Sequence, residues 1–158
     1  MDLLYRESRH SIGLLAVILK TQPEVNYLQT LMMGHATVRD SEDDYSRLMY
    51  STISRSSLGI FEVLVHLHTD RWWTRAWTFQ EEYLSSTSMR ILIRREPGLV
   101  ARHQFGSVPE ELCLNAAEFR TQATLFLLAF KWEANRKSAK KCAIMLKTFG
   151  RYDIQYRF

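Results

Sequence analysis

The stretch Thr69-Asp-Arg-Trp-Trp-Thr-Arg-Ala-Trp-Thr-Phe-Gln-Glu-Glu-Tyr-Leu84 limits the folds open to this chain more than any other, because it gathers three of the four tryptophans. Neither Gly nor Pro interrupts it, and Asp70 can accept a hydrogen bond from a free amide of a first turn, so the spacing predicts one helix with Asp70 as N-cap. Stepping about 100° per residue, Phe79, Trp72, Tyr83, Ala76, Trp73, Leu84 and Trp77 fall within an apolar arc of roughly 160°. Thr74, Thr78, Glu82 and Arg75 occupy the other side. Gln80 projects from the middle of the apolar arc, where an amide must be hydrogen-bonded to avoid a desolvation cost. Glu81 lies at the edge of the arc, one turn after Trp77, so its carboxylate is expected at the limit of the core. There desolvation can raise a carboxyl pKa. From pattern alone the plainer expectation is a boundary residue whose carboxylate reaches water or an arginine.

The remaining chain reads as α/β. Ile12 to Leu19 is continuously apolar apart from Gly13, which suits a central strand covered on both faces, with a buried helix as the competing reading. Thr21-Gln-Pro-Glu24 is a helix start, followed by Val25, Leu28, Leu31 and Met32 at helical spacing until Gly34. His35 to Ser57 is polar and acidic and predicts a surface loop with a short helix around Tyr45, Leu48, Met49 and Ile53. Ser57 is a candidate cap for a helix whose Leu58, Phe61, Leu64, Val65 and Leu67 face inward. Met89-Arg-Ile-Leu-Ile-Arg94 alternates as a strand does, and Arg90 and Arg94 on one face predict a position near a sheet edge or beside an anion. Pro97, Gly98, Gly106 and Pro109 mark residues 96–110 as a loop. Pro109-Glu-Glu111 opens a long amphipathic helix through Leu112, Ala116, Phe119, Ala123, Phe126, Leu127 and Phe130.

Several chemistries find no footing in the pattern. His66 and His68 are two residues apart, so on a helix they diverge and are expected at the edge of a core, and no metal site is predicted. Only Cys113 and Cys142 are available for a disulfide, and no signal-peptide pattern is present, so the cytoplasm is the expected location. Glu81 and Glu82 are adjacent, which rules out a converging glycosidase pair. The net charge of +4 permits contact with nucleic acid or an anionic membrane without demanding it. The basic cluster Arg136, Lys137, Lys140 and Lys141, followed by Tyr152, Tyr156 and Phe158, offers binding to RNA or an acidic lipid surface as an alternative function, but a solvated helix face is the preferred reading, so neither nucleic acid nor membrane is the expected partner.

Arg75-Ala-Trp-Thr-Phe-Gln-Glu81 resembles the signature Arg-x-Trp-Thr-x-Gln-Glu of the fungal heterokaryon-incompatibility (HET) domain, with Asp70-Arg-Trp-Trp-Thr74 extending the likeness. Met1-Asp-Leu-Leu-Tyr5 followed by Ser11-Ile-Gly-Leu-Leu15 is similar to that family's Met-x-x-Ile-Tyr helix and the strand after it. The resemblance spans roughly residues 1–95. It implies a role in nonself recognition between fungal strains that ends in programmed cell death, exerted through a protein partner or self-association. It also implies a TIR-like fold, in which Glu81 would be a catalytic carboxylate for NAD cleavage and Trp77 would shape the pocket. Trp73, Arg75, Thr78 and Gln80 would be motif residues of the same site, and NAD is the one cofactor the likeness suggests. The family's Leu-Ser-Tyr-x-Trp-Gly-like and Trp-Ile-Asp-x-Leu-Cys-Ile-x-Gln-like segments do not occur in this sequence, so the chain is expected to begin in mid-domain. The expectation is therefore a helix-rich α/β fold with a small, mostly parallel sheet, partially TIR-like or flavodoxin-like. Its divisions are a partial HET-like domain over 1–95, a loop over 96–110 and a C-terminal helical extension over 111–158.

Overall fold

The computed structural model describes residues 11–39, 46–48, 54–74, 89–106 and 108–150. Strand β1 (Ile12–Leu19) leads into helix α1 (Gln22–Met32). Thr21 and Glu24 close a reciprocal capping box there, and Pro23 sits in the first turn where its missing N–H costs nothing. Gly34 ends this unit with φ of +73°, a left-handed conformation that favours glycine. A short antiparallel hairpin, β2 (Thr37–Arg39) with β3 (Ser46–Leu48), follows where a loop and short helix were expected. Helix α2 (Arg55–His68) starts three residues before the expected position, because Ser54 is its cap and Ser57 is the third helical residue, bonded back to the Ser54 amide.

A single 3-10 turn, Arg71–Thr74, precedes residues 75–88, which lie outside the described residues, and strand β4 (Arg90–Arg95) follows. After a second 3-10 turn at His103–Phe105 comes β5 (Glu111–Asn115), a strand where Pro109-Glu-Glu111 predicted a helix start. The long helix α3 (Ala116–Glu133) begins instead at Ala116, capped by the Asn115 side chain on the Glu118 amide at 3.0 Å. Helix α4 (Arg136–Phe149) is capped in the same way by Asn135 on the Ser138 amide.

Strand order in the main sheet is β1-β4-β5, with β1 and β4 parallel and β4 and β5 antiparallel. The described residues thus form an α/β arrangement with four helices and a small mixed sheet. Three sequence expectations are corrected by this order. The sheet was expected to be mostly parallel, but only one of its two described strand pairs is, because β5 returns beside β4 in the opposite direction. β4 is the middle strand of the described sheet, so Arg90 and Arg94 do not mark an edge; they project from its open face. β1 stands at one end of the described strand order and not at its centre, and its faces differ, since Leu15 and Leu19 are buried while Ile12 is 57% and Leu14 is 61% exposed.

The helices pack over the opposite face, where Met89, Ile91, Ile93, Leu112 and Leu114 point inward as the alternation of β4 and β5 requires. α3 supplies the fully buried Phe119, Phe126 and Phe130, with Phe130 stacked on Phe61 of α2 at 4.6 Å between centroids. α1 and α2 approach closely at Gly59, where any side chain would meet the Tyr27 ring. Two α1 amide side chains hold the loop after β4: Gln22 both donates to the Val100 carbonyl and accepts from its amide, at 2.8 Å each, and buried Gln29 accepts from the Arg102 amide. The loop marked by Pro97, Gly98, Gly106 and Pro109 is in this way tied to a helix 73 residues away.

Candidate functional site

The Trp-rich stretch is anchored to the sheet through Asp70, which is only 4% exposed. Its Oδ1 accepts from the Trp72 amide at 2.8 Å, the capping role its position predicts. Its Oδ2 accepts from the amides of Ala16 and Val17 on β1, at 2.5 and 2.8 Å. These two amides sit where β1 departs from regular pairing: Leu14 is opposite Leu92 and Ile18 is opposite Arg94, so β1 spends four residues where β4 spends two. An irregularity of this kind leaves strand amides without ladder partners. The carboxylate supplies them, and one side chain therefore fixes both the bulge and the start of the Trp-rich stretch.

The two described tryptophans are held from several sides. Trp72 lies against Gly13, where an added Cβ would stand 2.6 Å from Cζ2 of the indole, so the glycine is required by the close approach of ring to strand. Trp73 meets Trp72 edge-on at 4.7 Å and stacks on Phe119 of α3 at 5.7 Å. Its indole Nε1 donates to the Leu67 carbonyl at 2.9 Å, which satisfies the polar atom of a ring that is only 8% exposed. The Arg120 guanidinium lies 5.6 Å from the Trp73 ring centroid, a cation–π distance, and donates to the Thr148 carbonyl at 3.3 Å. The end of α2, the 3-10 turn, α3 and α4 therefore converge on Trp73.

Of the residues the sequence singled out, Trp73 is a buried packing residue here, with its ring faces and its N–H engaged by protein groups. Arg75, Trp77, Thr78, Gln80 and Glu81 lie outside the described residues. The expected α-helix over 69–84 is a 3-10 turn over the part that is described. What sequence reading missed is the second half of Asp70's role, its grip on β1. The signal for it was Asp70 itself, an acid placed two residues before a pair of buried indoles. Arg120 was missed as well, since an arginine within an amphipathic helix carries no mark of the ring beneath it.

His66 and His68 part company as their spacing predicts. His66 Nδ1 stands 3.7 Å from Glu24, and His68 Nε2 is 2.8 Å from the Thr148 hydroxyl, with burial lowering the His68 pKa below its ordinary value. Cys113 and Cys142 are both free thiols, and burial pushes the Cys142 ionisation up to about 11. Among the described residues no group of three His, Cys, Asp or Glu side chains could hold a metal ion, and no helix is long and apolar enough to cross a membrane.

The described residues define an α/β arrangement with helices over one sheet face and Ile12 and Leu14 exposed on the other. Comparison with protein-family models, curated proteins and solved structures found no match for this chain.

Proposed function

We propose that this chain is a HET-type protein of fungal nonself recognition that acts through protein association, with its Trp-rich stretch serving chiefly as a structural brace. The observation that carries the association is the open sheet face. Ile12, Leu14 and Ala16 of β1 are exposed there, and Leu92 of β4 is half-buried on the same face. Sheets with parallel pairing normally carry helices on both faces, because their strands are apolar on both sides. An eight-residue strand that leaves Ile12 and Leu14 more than half exposed has the character of a surface awaiting a cover. The supporting sequence feature is Arg75-Ala-Trp-Thr-Phe-Gln-Glu81, with the TIR-like, partially flavodoxin-like arrangement as the finer fold that accompanies this reading.

The test uses Leu14→Glu and Ile12→Glu, which alter exposed side chains and leave the buried face untouched. Analytical ultracentrifugation of the intact chain is expected to show concentration-dependent self-association that either substitution abolishes, and expression in a fungal host is expected to arrest growth unless the face is charged. A chain that stays monomeric at high concentration and arrests growth equally with and without Leu14→Glu defeats the proposal. Nicotinamide release on incubation with NAD, lost in Glu81→Ala, would replace it with the enzymatic reading.

A further inference from the structure

The corner between α3 and α4 carries an arrangement that the association reading does not use. Trp132, at the end of α3, is 89% exposed, the highest value among the exposed large hydrophobic residues of the described chain. At about 100° per residue, Arg136, Lys147, Lys140, Ile144, Lys137 and Lys141 of α4 fall within one arc of roughly 140°. All six are exposed, and Ile144, 56% exposed, sits near the middle of the arc. The opposite side of α4 is buried through Cys142, Met145 and Leu146. Between residues 131 and 150 the only carboxylate is Glu133, and the five cations of the arc form no ion pair among the described residues.

Five positive charges without an ion-pair partner among the described residues thus flank exposed Ile144 along α4, and exposed Trp132, next to exposed Lys131, stands four residues before that helix begins. Neither feature stabilises the domain. Clustered cations repel one another, and an indole left in solvent forgoes the burial that the other described tryptophans obtain. Both become favourable at one kind of surface. Lys and Arg are drawn to the anionic headgroups of a bilayer, while an indole prefers the headgroup level and an aliphatic side chain gains by entering the acyl boundary. Single-stranded nucleic acid would use the charges and the Trp132 ring, but Ile144 at the centre of the arc has no aromatic face on which a base could stack. A convex helix surface also offers no groove to follow a phosphate backbone.

We propose that α4 and the Trp132 corner form a peripheral docking surface for anionic lipid bilayers, with the cations on the headgroups and Trp132 and Ile144 inserted between them. This corner belongs to the helical layer and not to the open sheet face, so it operates independently of the association surface. It takes up the lipid-surface alternative for the basic cluster in place of the preferred solvated face; the exposure of Trp132 is what the linear pattern did not reveal.

Vesicle co-sedimentation of the full chain tests it. Vesicles of phosphatidylcholine with about one-third phosphatidylserine are expected to bind the protein, and pure phosphatidylcholine vesicles are not. Each cation near the surface changes partition about fivefold, so Lys140→Ala with Lys141→Ala is expected to weaken binding about 25-fold at low salt. Trp132→Ala is expected to weaken it at every salt concentration, since insertion is not screened. All three positions are exposed, so these variants retain the fold, and circular dichroism verifies that directly. Leu14→Glu on the sheet face is expected to leave vesicle binding unchanged, which separates this surface from the association surface. Equal binding to both vesicle types, no loss in the double lysine variant, or tighter binding to a single-stranded oligonucleotide than to the anionic vesicles overturns the proposal.

Discussion

Replacing Asp70 by alanine withdraws a carboxylate that accepts from three backbone amides. The losses are unequal. Trp72 is buried and its amide has no route to solvent; Val17 is half-buried; Ala16 is exposed, so water can take over its bond. An amide left buried without a partner costs about 1–3 kcal/mol, which places the whole substitution at about 2–4 kcal/mol once Ala16 is discounted. Against a typical total of about 5–15 kcal/mol, that is a large fraction for a single side chain. Urea unfolding followed by circular dichroism is the direct assay. With a slope of about 2 kcal/mol/M the midpoint is expected to fall by about 1–2 M, and the thermal midpoint by about 5–15 °C. Asp70→Asn retains one acceptor oxygen but turns an NH2 toward amide donors, so it is expected to recover part of the loss and not all of it. If alanine shifts stability by less than about 0.5 kcal/mol, or asparagine behaves as the wild type, the carboxylate does not brace the β1 bulge in the way described.

Three further outcomes are expected. Gly13→Ala places a methyl 2.6 Å from Trp72 Cζ2, so the indole must shift and stability is expected to drop by about 1–3 kcal/mol in the same urea assay; a neutral result would mean that the ring does not lie over the strand. Because burial lowers the His68 pKa below 6.5, the unfolded chain takes up this proton at a higher pH than the folded chain does, and stability contributed by neutral His68 is present above pH 6.5 and lost as pH falls below it. Thermal midpoints measured from pH 7.5 to 5 are expected to decline less steeply in His68→Gln than in the wild type, and parallel curves would remove His68 as the cause. Thiol labelling at pH 8 is expected to be fast at half-buried Cys113 and slow at Cys142, whose thiol is buried and ionises only near 11. In Cys113→Ser the remaining slow reaction should accelerate with urea, whereas immediate labelling would contradict the burial of α4 against the core.

Local chemistry made several elements legible before any coordinates. Thr21, Pro23 and Glu24 announce α1 because a capping box and a first-turn proline act within four residues of one another. Met89, Ile91 and Ile93 alternate with Arg90 and Arg94 because a strand exposes every second side chain, and the burial follows that alternation. The failures share a different physics. Glu111–Asn115 contains only two inward leucines, and Leu112 with Ala116 also fits helical spacing, so nothing within the segment prefers a strand. Pairing with β4, from Arg94 opposite Glu111 to Arg90 opposite Asn115, decides the matter through hydrogen bonds to a strand elsewhere in the chain.

The candidate site divides along the same line. That Asp70 would cap the residues after it was written in its position, because a capping bond spans two residues. That the same carboxylate would satisfy a bulge 53 and 54 residues earlier was not, because only packing brings β1 there. The apolar run Ile12–Leu19 was recognisable as a strand from its composition, but composition is symmetric between its two faces. Which face meets the helices and which is left open, with Ile12 and Leu14 in water, was settled only by where α2, α3 and the indole of Trp72 come to rest.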